Sequence, residues 1–372
     1  MERQSWKERQ LCRRRASELL GSRLSNAAGE HRLLARRLRQ RSGASKKNYV
    51  PEEIEFRTKP QIALEQIEHA LSNEIRVAAW TFDEFYGRDG RFLDGLQSQG
   101  QLFVGEIPSN FQGWVKKPIV VENRGKKRKK RGPQPYVAMH CPSSKVSNLL
   151  KHSPVFRKQR WQRYRIKDTE KGPRVWEIKW AVFWRKDENG LPTRRHCLIL
   201  ARDVLTGEVK YFLSNRVPGE KNPVTGQPIS LRSLLRVAFG RWSIESCFRE
   251  NKEELGMDHY EVRGWRCVHR HFYITQLSQL FCARVRQEYD KATRDGPDRI
   301  SIEQLRSAMD VWFDTVDLPP KARQARFEEE IAKQEYYQRR NKQARLSHTK
   351  TTIKKLKAIG IDPDKIKSCI QI

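Results

Sequence analysis

The chain has no run of 18 apolar residues, no C-x-x-C pair, no apolar segment behind its charged N-terminus and no aspartate before Asp83. Each absence excludes something. Without a long apolar run there is no membrane-spanning helix, and mean hydropathy is −0.82. Without an apolar h-region the first residues are not a secretory signal. The seven cysteines (Cys12, Cys141, Cys197, Cys247, Cys267, Cys282, Cys369) are scattered. They suit neither a zinc ribbon nor a disulfide framework and point to a reducing cytoplasm. Acids are also scarce. Among 372 residues, 75 Lys and Arg face 44 Asp and Glu, for a net charge of +31. That excess predicts a polyanionic partner, with nucleic acid favoured over an anionic membrane surface because neutralised phosphates release counterions. The expected location is the cytoplasm, in association with the nucleoid.

What is present is most informative near residue 241, in R-W-S-I-E-S-C-F-R-E-N-K-E-E-L-G-M-D-H-Y-E-V-R. Arg241, Glu245 and Lys252 are offset by four and then seven positions. On one helix these offsets leave about 40° and about −20° between successive side chains, so the three share a stripe. Ile244, Phe248 and Leu255 would form the adjoining core face. A carboxylate between cations suits metal-assisted chemistry on a phosphodiester, the acid holding a divalent ion and the cations taking phosphate oxygens. It equally suits an ion-paired surface helix.

Composition divides the chain into five stretches. Residues 1–48, with 14 Lys/Arg, four Glu and no Asp, read as a basic arm, disordered or weakly helical. Residues 49–115 carry a helix over 59–73, a strand over 75–82 ending at Asp83, a helix over 89–98 and a second strand over 101–108. This strand–helix–strand unit places Asp83 at a strand's carboxyl end, where ligands gather in α/β sheets, although an Asp there also caps helices. Residues 116–225 are mainly β, with turns at Asp187–Gly190 and Leu205–Glu208. They include the basic run Lys126, Lys127, Arg128, Lys129, Lys130, Arg131, either a solvated tip or a phosphate-contacting finger, the finger being favoured on a chain this basic. Residues 226–292 hold helices over 231–255 and 268–290, and residues 293–372 form a basic helical tail, with helices over 301–313 and 320–345 and a terminal one stopped by Gly360. Trp176, Trp180 and Trp184 read as sheet packing. His269 and His271, two positions apart on a helix, point different ways and read as packing or DNA contacts rather than as a metal pair.

The segments W-T-F-D-E-F-Y-G at 80–87, R-W-S-I-E-S-C-F-R-E-N-K-E-E-L-G-M-D-H-Y-E-V-R-G-W at 241–265 running on to H-R-H-F at 269–272, and Y-Y-Q-R-R-N-K-Q-A-R-L-S-H at 336–348, together with F-R-T-K-P at 56–60, resemble the DDE-type transposases of bacterial insertion sequences. The likeness is to the group with a Y-R-E-K signature and a β insertion. The fold it implies is α/β: a partial RNase H-like domain, a β-rich insertion and a helical basic C-terminal region. It also implies Asp83 and Glu245 as the second and third catalytic, metal-holding acids, with two Mg²⁺ ions in the intact family. Arg241, Arg249 and Lys252 would contact DNA. The implied partners are double-stranded DNA, at transposon ends and target, and a second copy in a homodimer. The signature tyrosine position holds Ala238, and the family's first acid, an Asp upstream of Asp83, has no counterpart. The expectation is therefore an N-terminally truncated or frameshifted transposase, with residues 1–48 native or read in another frame. Its function is transposition by Mg²⁺-dependent cleavage and strand transfer, or, in the alternative, DNA binding by an inactive remnant. A structure-specific nuclease would share the fold.

Overall fold

A computed structural model describes residues 49, 51, 57–122, 136–139, 141–292 and 300–369. They fall into two compact units, one built around residues 60–242 and 348–372 and the other around 243–347.

The first unit opens with α1 (Lys59–Ser72), whose Ile62, Ala63, Ile67 and Ala70 are buried at helical spacing. After α1, the expected strand over 75–82 is reduced to a single parallel bridge, Trp80↔Phe103. The pairing is continued by one bond, from Glu106 N to Phe82 O at 3.0 Å. Two short helices follow, α2 (Glu84–Gly87) and α3 (Gly90–Ser98), then β1 (Val104–Ile107). The parallel crossover expected from the sequence is therefore present, with a first strand too short to form a ladder.

Next come β2 (Gln112–Trp114), β3 (Ile119–Glu122), β4 (Tyr136–Met139), β5 (Ser144–Lys145), α4 (Val146–His152) and α5 (Pro154–Lys158). Then β6 (Gln162–Thr169), β7 (Gly172–Lys186), β8 (Pro192–Asp203) and β9 (Val209–Ser214) form an antiparallel meander. The main sheet is open and has eight strands, in the order β1-β9-β8-β7-β2-β5, with β6 also on β7 and β10 (Lys367–Ser368) beside β6. β3 and β4 pair separately. The long strand β7 offers one edge to β8 and divides the other between β6 and β2.

Both faces of this sheet are covered at its centre, so residues 196–201 of β8 and 211–214 of β9 are buried without a break. On one face Trp176, Ile178, Ile199 and Phe212 pack under Leu234, Leu235 and Ala238 of α6 (Leu231–Gly240), with Trp180 partly buried beside them. On the other, α5 buries Phe156, whose carbonyl accepts from Lys179 Nζ at 2.6 Å. On that same side α3 supplies Asp94 to the buried guanidinium of Arg185.

The single helix expected over 231–255 is two, α6 and α7 (Trp242–Glu253), with Arg241 at the joint. Arg241 keeps helical dihedrals, φ −56° and ψ −32°. Gly240, the residue before it, is the local signal for the break, since glycine disfavours a continuous helix.

The second unit takes most of α7, α8 (Trp265–Ala292), α9 (Ile302–Asp314) and the first part of α10 (Pro320–Ala358). The helix over 320–345 and the terminal one are thus a single helix, ended by Gly360 at φ 73°. Cys282, Ile302 and Leu305 form a small core with Leu255, Val285 and Met309 against it.

Candidate functional site

Asp83 ends the short parallel segment and begins α2. Its backbone is extended (φ −83°, ψ 178°), and Oδ1 accepts from the N–H groups of Phe85 at 3.0 Å and Tyr86 at 3.3 Å. It therefore acts as the N-cap of α2, the alternative that the sequence left open. The carboxylate is half-buried. Beside it, burial and then the charge of Asp83 push the Tyr86 phenol up to about 12.

Two glycines allow this corner to close. A Cβ on Gly87 would lie 2.0 Å from the backbone oxygen of Glu106, and one on Gly105 would lie 1.8 Å from the Phe82 ring. The ring itself is wedged by Phe92 at 5.1 Å and Phe103 at 5.6 Å. The position of Asp83 is thus fixed by backbone packed on backbone.

In the second unit, Glu245 lies exposed in the first turn of α7, where the helix dipole favours an anion. Arg249 and Lys252 are exposed on the same helix, and Arg241 precedes it. The core face of α7 differs from the expected one. Ile244, Phe248 and Leu255 are only half-buried, while Cys247 and Asn251 are buried. Asn251 Nδ2 donates to Cys247 O at 3.0 Å, and Gln279 Nε2 of α8 reaches Cys247 Sγ at 2.6 Å. A Cys–Asn pair four positions apart is one helix face, but asparagine ordinarily reads as surface, which hid it.

The two histidines are held structurally. The rings of His269 and Trp265 lie 4.1 Å apart, with His269 Nδ1 2.8 Å from Trp265 O. His271 Nε2 lies 2.9 Å from Gly256 O. The basic finger Lys126, Lys127, Arg128, Lys129, Lys130 lies outside the described residues, as does the arm 1–48.

A buried polar group on the main sheet has no counterpart among the residues expected from the sequence. Arg185 is paired with Asp94, and His196 sits opposite Phe183, with Nδ1 2.7 Å from Arg194 O. Alternation along β7 sets Arg185 on the side of Phe183, which was the available sign that it points inward.

Among the described residues, no three His, Cys, Asp or Glu side chains stand together as a metal-binding group. Two Mg²⁺ ions held about 4 Å apart need several shared carboxylates. The described residues do not supply that set.

Residues 23–173 match the family described as DDE superfamily endonuclease. This segment is similar to the DDE endonucleases. The match begins within the basic arm, includes Asp83 and the basic finger, and ends before Arg241, Glu245, Arg249 and Lys252. It supports a DDE-transposase-like domain in general, and the open α/β sheet with its helices is consistent with that. A search of the curated proteins gave no match. Among the described residues, no helix is long and apolar enough to cross a membrane.

Proposed function

We propose that this protein is an insertion-sequence transposase by descent, which binds the double-stranded DNA of its element's ends and target. Its first part is RNase H-like and carries a β-rich insertion. The observation that carries this reading is the DDE endonuclease match over residues that include Asp83 at the end of a parallel-paired segment. In this reading Asp83 and Glu245 are the second and third acids of the cleavage site, and Arg241, Arg249 and Lys252 contact DNA phosphates. Mg²⁺, when bound in an intact transposase of this kind, supplies charge neutralisation at the phosphate. The homodimer of the intact family belongs to the same proposal.

A second reading is favoured by the missing three-acid group among the described residues. In it the chain binds DNA without cutting it. The two are separated by incubating the full chain, Asp83→Asn and Glu245→Ala with Mg²⁺ and DNA carrying the element's ends. Under the first reading, intact protein cleaves, both variants fall to background, and all three bind DNA alike. Under the second, none cleaves and all bind. Absence of DNA binding by the unsubstituted chain defeats both readings.

A further inference from the structure

The last three turns of α10 carry a charge arrangement that the cleavage site does not use. No Asp or Glu occurs between Glu335 and Asp362. Pairing with an acid one turn away is therefore unavailable on this stretch of helix. Lys350, Lys354 and Lys357 are exposed and stand at i, i+4 and i+7, on one ridge of the helix.

The opposite side is clamped to the first unit. Leu356 is fully buried against Val175 and Ile361. Thr352 Oγ1 donates to Lys171 O. Gly172, at φ 99°, lets the turn between β6 and β7 come so close that an added Cβ would lie 3.1 Å from Thr349 Cα. The ridge is thus presented on a fixed backbone, which lowers the ordering cost of binding.

We propose that Lys350, Lys354 and Lys357 form a sequence-independent contact surface for the phosphates of double-stranded DNA, separate from the Asp83 corner. The inference rests on the DNA-binding reading above and adds to it a specific surface. The helix dipole does not account for the ridge. It favours cations in the last turn, which holds Lys355 and Lys357, and its effect is gone at Lys350. A lipid surface also fits less well than DNA. An interfacial helix must insert its apolar face, and here Leu356 is already used in the protein core.

The test is fluorescence anisotropy with the full chain and a duplex of arbitrary sequence over a range of salt concentrations. It compares the unsubstituted protein, the triple variant Lys350→Gln, Lys354→Gln, Lys357→Gln, and a charge-matched control, Lys145→Gln, Lys151→Gln, Lys158→Gln. Each lost phosphate contact removes about 0.9 from the slope of log affinity against log salt. The ridge variant should show a slope shallower by about 2.7 and at least about tenfold weaker binding at low salt, equally on any sequence. The control should change much less. Mass-spectrometric lysine labelling should show the three ridge lysines protected by DNA, and thermal melts should show all three proteins folded. Equal losses in ridge and control variants would overturn the proposal, because net charge alone would then explain binding. So would an unchanged ridge variant, which would leave DNA binding itself standing. Ridge-dependent binding to phosphatidylserine vesicles but not to duplex would overturn it in favour of a membrane. If the unsubstituted chain fails to bind duplex, both this proposal and the function it rests on fall.

Discussion

Gly87→Ala should destabilise the first unit by about 3 kcal/mol or more, the upper end of the usual cost of overpacking. The new methyl carbon would sit 2.0 Å from Glu106 O, with Glu106 C at 3.0 Å and Ile107 Cγ2 at 3.2 Å. The nearest atom is backbone, in a strand hydrogen-bonded to β9 through the pair Glu106↔Phe212. No side-chain rotation can relieve such a contact, so α2 must shift away from β1. That shift would carry Asp83 with it, because its cap bonds are to Phe85 and Tyr86 of the same helix. Gly105→Ala meets the Phe82 ring instead and should fall in the same range, since Phe92 and Phe103 block the ring's escape. Gly207→Ala is the reference: its φ is 72° but nothing lies within 4 Å, so only about 1 kcal/mol of backbone cost is expected. Urea midpoints measure all three. A Gly87 variant no less stable than the Gly207 variant would show that the corner is not packed as described.

The second large effect is acid sensitivity centred on His196. Burial pushes its imidazole down to about 4, and the charge of Arg185 acts in the same direction. The bond to the Arg194 carbonyl and the charge of Asp94 on α3 act the other way but are outweighed. Phe103 lies against the ring, with centroids 6.4 Å apart. An unfolded histidine takes up its proton near pH 6.5, whereas the folded one resists until about pH 4. Between those values the unfolded state binds more protons, so stability falls as pH falls. The stabilisation is complete above about pH 6.5 and has been lost by about pH 4, amounting to about 3 kcal/mol. His196→Gln should be less stable at neutral pH and should lack this part of the acid slope. Urea midpoints at pH 7 and pH 4.5 for both proteins provide the comparison. Parallel slopes would exclude His196 as the source.

Much of the fold was readable from local pattern. The turns expected at Asp187–Gly190 and Leu205–Glu208 lie where β7 meets β8 and β8 meets β9. α1 was readable from the spacing of Ile62, Leu64, Ile67 and Leu71, although the buried face is made by Ile62, Ala63, Ile67 and Ala70 and leaves both leucines half-buried. What escaped was set by distant partners. That β1 lies beside β9, with Val104 opposite Ser214, is a long-range choice with no local signature. The strand before Asp83 is short because only Trp80 and Phe82 find partners on Phe103 and Glu106. At the candidate site, residue types were legible and their settings were not. Asp83 was visible as an acid at a strand end, but its use as a cap depends on the turn that follows. The inward face of α7 departs from the expected one because Gln279, 32 positions away, meets Cys247 and makes a polar core there.

The parallel tie of β10 to β6 has a kinetic consequence. Lys367 and Ser368 pair with Tyr164 and Arg165, from which they are separated by more than half the chain, and Cys369 N bonds Arg165 O at 2.8 Å. The meander β6–β9 closes through short turns, whereas this two-residue contact must wait for the longest loop closure in the sheet. During synthesis the free edge of β6 therefore stays open after the meander has formed, a transient template for pairing with another nascent chain. The alternating charges of Arg163, Arg165 and Lys167 along that edge are suited to keeping such neighbours apart.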